Sequence, residues 1–78
     1  MNEKFVFANL EMDPKRYDCF VSKNVKQTYL GYVEKYGASL WQASFNHDGS
    51  FGGECNFSSR KEAAKWLLKS YLTHYKTI

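Results

Sequence analysis

Four side chains in this sequence have the chemistry to ligate a soft metal or to serve as nucleophile and base: Cys19, His47, Cys55 and His74. A metal site usually starts from two ligands offered by one short segment, as C-x-x-C or H-x-x-x-H, and none of the four is so spaced. No metal and no cofactor is expected. His47-Asp48 is the one adjacent acid–base pair, yet it lies within Asn46-His47-Asp48-Gly49-Ser50, where aspartate before glycine is accounted for by turn geometry. The remaining carboxylates sit beside bases or in turns, and no Ser-His-Asp or Cys-His set stands out. His74, near the end of the chain, suits the carbonyl end of a helix dipole. Gly49, Gly52 and Gly53 could cradle a phosphate, but they lack the G-K-[ST] lysine and the strand–loop–helix setting. The chain reads as non-enzymatic, with no catalytic residue.

Binding chemistry is better represented. Residues 59–78 carry Arg60, Lys61, Lys65, Lys69 and Lys76 against Glu62 alone, a net +4 in a chain whose total is +3, so the remainder is slightly acidic. A concentrated basic face is the usual footprint of a nucleic-acid partner, because each neutralised phosphate releases counterions. Lysine is also a good helix former that solubilises an outer face. The second candidate surface is aromatic. Alternation puts some among Tyr29, Tyr32, Tyr36 and Phe51 onto the face of a sheet that a single helix would leave open, and Trp66 falls outside the apolar face of that helix. Large exposed rings mark protein interfaces and also act as stacking platforms for bases.

These side chains must be positioned by a small fold. Seventy-eight residues, 44% apolar and 24% charged, make one domain over residues 1–78. A chain of this size buries only about 60% of its unfolded surface. Two Trp, six Tyr and six Phe offset that shortage, since each large ring buries roughly 150–250 Å². The near balance of eleven Lys and Arg against eight Asp and Glu argues against disorder. No apolar run approaches the roughly 20 residues of a spanning helix, and Glu3 and Asn9 interrupt the start. The expected setting is cytoplasmic, away from membranes. Two cysteines are few for a secreted mini-domain, so free, buried thiols are expected.

Alternation assigns a first strand to Lys4–Met12. Asp13-Pro14 breaks it, followed either by a strand with Tyr17, Cys19 and Val21 on one side or by a short helix with Tyr17, Phe20 and Val21 buried; the β-favouring composition prefers the strand. Lys23–Gln27 is a polar loop. Thr28–Lys35 is a strand whose Gly31 marks a bulge or a close backbone approach. Gly37-Ala38 turns the chain into Leu40–Phe45, with Trp41, Ala43 and Phe45 inward, and Asp48-Gly49 turns it again into Phe51–Phe57. Ser59 with Glu62 forms a capping box that opens a helix from about Ser59 to Lys76. Its apolar face is Ala63, Ala64, Leu67, Leu68, Tyr71 and Tyr75, and Lys61, Lys65, Lys69 and Lys76 line the far side. The fold class is α+β: an antiparallel β-meander of four to five strands packed on one face by a C-terminal α-helix.

Three stretches carry a family resemblance: Tyr29-Leu30-Gly31-Tyr32-Val33, Leu40-Trp41-Gln42-Ala43-Ser44-Phe45, and Phe57-Ser58-Ser59-Arg60-Lys61-Glu62-Ala63-Ala64. Over Tyr29 to Tyr71, about half the chain, the sequence resembles the three-strand-plus-helix modules of AP2-type DNA-binding domains and of the arm-binding domains of tyrosine integrases. The resemblance implies a DNA-binding module of mobile-element type that reads DNA from the sheet, with the helix behind. The corresponding outward positions are Val33, Lys35, Gln42, Ser44 and Asn46, where those families use Arg and Trp. Nucleic acid is therefore expected either at Lys35, Gln42, Ser44 and Asn46 or at Lys61, Lys65 and Lys69. The alternative is a protein partner, or a second copy of the chain, at Tyr29, Tyr36, Phe51 and Trp66 and a sheet edge.

Overall fold

The computed structural model describes residues 4–10 and 13–76. Strands β1 (Lys4–Leu10), β2 (Asp13–Lys23), β3 (Lys26–Gly37), β4 (Leu40–His47) and β5 (Ser50–Phe57) pair in sequence order as one antiparallel sheet, and helix α1 (Arg60–Tyr75) lies against β3, β4 and β5. This is the expected α+β meander, with five strands. The continuation of the first strand to Met12 lies outside the described residues. The strand reading of the next segment holds and the helical alternative falls: β2 pairs along both edges, and Cys19 and Val21 are fully buried on the helix side.

Connections are tighter than the composition suggests. Lys23 and Lys26 pair across the first central hairpin, so the expected loop shrinks to Asn24 and Val25, with Asn24 left-handed at φ 58°. Asp48 and Gly49 both take positive φ, 53° and 88°, the primed turn whose twist matches a hairpin. Asn46 Oδ1 accepts from the Gly49 amide at 3.1 Å and holds that turn.

Two bulges set which side chains face where. Cys19 pairs with Gly31 but Phe20 pairs with Tyr29, leaving Leu30 as the extra residue of β3. Leu30 and Val33 are consequently both buried on the helix side, although their separation is odd. The expectation that Val33 and Lys35 face outward is corrected by this shift. Val33 is 0% exposed, and Lys35 pairs with Trp41 on the helix side. On β5, Trp41 pairs with Phe57 and Ala43 with Glu54, so one extra residue is accommodated near Asn56, which is left-handed at φ 69°. The Tyr36 hydroxyl braces this bulge, donating to Asn56 Oδ1 at 2.7 Å and accepting from the Asn56 amide at 3.0 Å.

The helix begins as its cap predicts. Ser59 is extended, and its Oγ accepts from the Glu62 amide at 3.2 Å, satisfying a donor that would otherwise be orphaned. The Glu62 carboxylate pairs with Lys65 at 3.5 Å. At the other end Lys76 turns left-handed and its N–H reaches Leu72 O at 2.8 Å. Ala63, Ala64 and Leu67 are fully buried against Cys19, Val21, Leu30, Val33 and Ala43. Leu68 and Tyr71 are partly buried and Tyr75 is exposed, so the buried stripe is narrower on that flank than the helical wheel implies. It is wider on the other. Trp66 packs against Phe45 and Phe57, at ring separations of 5.6 and 6.1 Å, because those rings extend the inner face of β4 and β5 beneath it.

Both thiols are free, as expected. Cys19 is buried and chemically quiet: burial pushes its pKa up to about 12, against a smaller opposing pull from Arg60. Cys55 departs from the expectation of burial. It lies exposed on edge strand β5.

Candidate nucleic-acid interface

The open sheet face gathers Gln42, Ser44 and Asn46 with Tyr29, Tyr36 and Phe51, the last directly opposite Asn46, so parts of both predicted sets share one surface. Its polar groups are already engaged with one another. Gln42 Nε2 donates to Glu34 Oε1 at 2.8 Å, Asn46 holds the Asp48-Gly49 turn, and the Tyr36 hydroxyl braces Asn56. Phe20 meets Tyr29 edge-on at 5.3 Å, and burial, followed by the Asp18 carboxylate 3.5 Å from the Tyr29 hydroxyl, raises the phenol pKa against a smaller pull from Arg16. Arg16 stacks on Tyr32, 3.6 Å from the ring centroid. Across the ladder Arg16 pairs with Glu34, and Asp18 stands two residues along the same strand. The charge of this face is balanced where phosphates would have to dock.

Cations collect on the helix side. Lys61, Lys65 and Lys69 are exposed along the outer face of α1. Lys35, displaced from the open face by the β3 bulge, lies over Trp41 at 5.9 Å and shares a depression with Lys15, Tyr17, Arg60 and Ser59. The Arg60 guanidinium lies 4.2 Å from the Phe7 ring centroid and 5.0 Å from that of Tyr17, tying the start of the helix to β1 and β2 while keeping its charge at the surface. The predicted nucleic-acid set thus divides: Lys35, Lys61, Lys65 and Lys69 lie on one side, Gln42, Ser44 and Asn46 on the other. Lys15, Arg16 and Arg60 went unassigned in the sequence. Once β2 is taken as a strand from Asp13, alternation alone separates Lys15 from Arg16 onto opposite faces.

A groove between the second half of α1 and β5 holds Trp66, whereas Phe51 reaches its border from the edge strand with its side chain on the open face. Phe51 and Trp66 border it together with Phe45, His47, Lys69, Ser70 and His74. Phe51 is 79% exposed. His47 lies at the inner end, only 4% exposed, stacked on Phe45 at 4.4 Å and ringed by Tyr71, His74 and Tyr75. His74 Nε2 stands 3.5 Å from Asp48 Oδ2 at the outer end. The turn explanation of Asp48 is thus joined by a contact to the helix that local spacing did not disclose.

Burial, and secondarily the nearby His74, lowers the His47 pKa below 6.5, while Asn46 and Asp48 oppose the shift. Above pH 6.5 the ring is neutral in both folded and unfolded chains and costs nothing. As pH falls below 6.5 the unfolded chain takes the proton first, so stability is lost until the lowered folded pKa is passed. Melting temperature should therefore drop on acidification through this window, and His47→Phe should drop less. An equal drop in both would assign the acid sensitivity to other groups.

No protein-family model matches the chain, and no curated protein and no solved structure matches it. Among the described residues no helix is long and apolar enough to cross a membrane, and no group of three or more His, Cys, Asp or Glu side chains could hold a metal ion.

Proposed function

We propose that this chain is a non-enzymatic nucleic-acid-binding module that works from its helix side rather than from its open sheet face. The observation that carries this reading is the segregation of charge by face: Lys15, Lys35, Arg60, Lys61, Lys65 and Lys69 gather on the helix side, while Arg16 on the open face is matched by Asp18 and Glu34. Affinity for a polyanion comes chiefly from cations that neutralise phosphates. The AP2-like and integrase-like resemblance implies the opposite surface, so the proposal keeps the class of partner and moves the site. Kinship to a mobile-element module rests on that resemblance alone.

Titration of labelled duplex and single-stranded DNA at two salt concentrations tests it. Binding should weaken with salt, and joint replacement of Lys61, Lys65 and Lys69 by Gln should cut low-salt affinity about tenfold or more while flattening the salt slope by about 2 to 3. Replacing Gln42 and Tyr29 by Ala should leave affinity unchanged. Absence of low-salt binding overturns the proposal. Loss confined to the Gln42 and Tyr29 replacement would return the site to the sheet.

A protein partner is the second reading, favoured by the exposure of Tyr29 (47%) and Tyr36 (43%) on a charge-balanced face. A stable dimer that Tyr29→Ala dissolves would support it.

A further inference from the structure

The groove between α1 and β5 combines rings with cations, has no carboxylate in its lining, and closes at its inner end on a buried histidine. Phe45 and Trp66, with ring centroids 5.6 Å apart, supply the apolar walls, and Phe51 borders the groove from β5 while its side chain lies with its cross-strand partner Asn46 on the open face. Lys69, His47, His74 and the hydroxyls of Ser50, Ser70 and Thr73 supply the polar positions. The nearest acid with a defined contact is Asp48, outside the lining, 3.5 Å from His74. At the inner end, His47 Nε2 is buried with no hydrogen-bond partner. Buried polar atoms are rarely left so, and such an atom suits a ligand able to hydrogen-bond. Lys69 belongs both to this lining and to the outer lysine row, so a strand lying along that row would pass the mouth of the groove.

We infer that the groove seats one unstacked nucleotide, its base against Trp66 and Phe45 and its phosphate toward Lys69 and His74. The chemistry is a planar, hydrogen-bonding ring joined to an anion. A purely apolar ring would leave His47 and the hydroxyls unanswered, and a bare anion would leave the two aromatic walls without a partner. A nucleotide in a single strand is the source that rests on the nucleic-acid reading above; a free mononucleotide is the source that does not. Duplex DNA, with every base stacked and paired, cannot present this group without opening.

The indole N–H resonances of Trp41 and Trp66 report on the two ends of the helix side separately in the native chain. They are followed during titration with AMP, adenosine, ribose 5-phosphate, a short oligodeoxyadenylate and a duplex. AMP and the oligonucleotide should shift Trp66 and leave Trp41 in place under AMP. Ribose 5-phosphate should not move Trp66, and adenosine should bind at least tenfold more weakly than AMP. Phe45→Leu, which keeps an apolar side chain beneath Trp66, should weaken AMP about fivefold or more, and Phe51→Ala, on the open face, should leave AMP binding unchanged. Lys69→Gln should weaken AMP but not adenosine.

The outcomes separate the two readings. A Trp66 shift with AMP but not with any polymer supports the groove as a free-nucleotide site and removes the nucleic-acid reading. Salt-sensitive polymer binding with Trp66 unmoved by AMP and by the oligonucleotide leaves the nucleic-acid reading standing and overturns the groove. So does an AMP response that Phe45→Leu does not weaken.

Discussion

Gly31→Ala should unfold the domain or bring it close to unfolding. A Cβ at this position would stand 2.3 Å from the Ser44 carbonyl oxygen and 3.2 Å from Leu67 Cδ2, and the backbone sits at φ +143°, a region that side chains rarely adopt. Neither neighbour can yield cheaply. The carbonyl belongs to β4, and Leu67 is fully buried at the centre of the helix contact. The backbone strain alone costs about 1–3 kcal/mol, and displacement of the β4 main chain adds to it, so a loss of about 3 kcal/mol or more is expected. A domain of this length has roughly 4–12 kcal/mol in total. Gly49→Ala is the matched control: its φ is +88° but nothing lies within 4 Å of the added carbon. Urea and thermal melts of the two variants should differ widely. Equal midpoints would mean that the bulge does not hold Gly31 beneath the helix.

Leu67→Ala should have the next largest effect. Leu67 is 0% exposed, and it bridges the helix to the floor formed around Gly31. Removing its branched end leaves a void that rigid backbone on the sheet side cannot fill, at a cost of about 2–5 kcal/mol. Leu72→Ala, at a site 37% exposed on the same helix, should cost within about 0.5 kcal/mol. In a domain this small each kcal/mol moves the melting temperature by roughly 4–8 °C, so the contrast is easily resolved. Similar melting of the two would show that the helix does not press on the sheet through Leu67.

The comparison of these leucines shows where sequence reasoning reaches its limit. Both are apolar and both lie in one helix, and the wheel correctly places Leu67 on the buried face. It also excludes Trp66, which is nevertheless drawn against Phe45 and Phe57 because the sheet extends beneath that flank. Tyr75 was placed on the apolar face, yet it ends exposed at the last turn, beside His47 and His74. Amphipathic periodicity describes one helix, whereas coverage depends on the width of what it packs against.

The candidate site was legible to the same degree. The basic row Lys61, Lys65 and Lys69 follows from helical spacing alone. Lys35 was visible as a cation but was assigned to the wrong face, because Leu30 is an extra residue and every later side chain of β3 changes sides. Gly31 signalled the bulge without revealing which way parity would resume. The groove was not legible at all: Ser50, Trp66, Lys69, His47 and His74 come from three elements, and only the approach of α1 to β5 brings them together.

By itself, then, the sequence determined the local structure: alternating apolar residues made strands, Asp48-Gly49 made a primed turn, Ser59 capped a helix, and the charge excess lay in that helix. These follow from forces acting over a few residues. Tertiary structure decided the facing of Val33 and Lys35, the placement of Arg60 over Phe7 and Tyr17, the close fit of Gly31 under Leu67, and the groove beside Trp66. Each depends on how strands register and how a helix settles on them, contacts between residues far apart in sequence that no local pattern encodes.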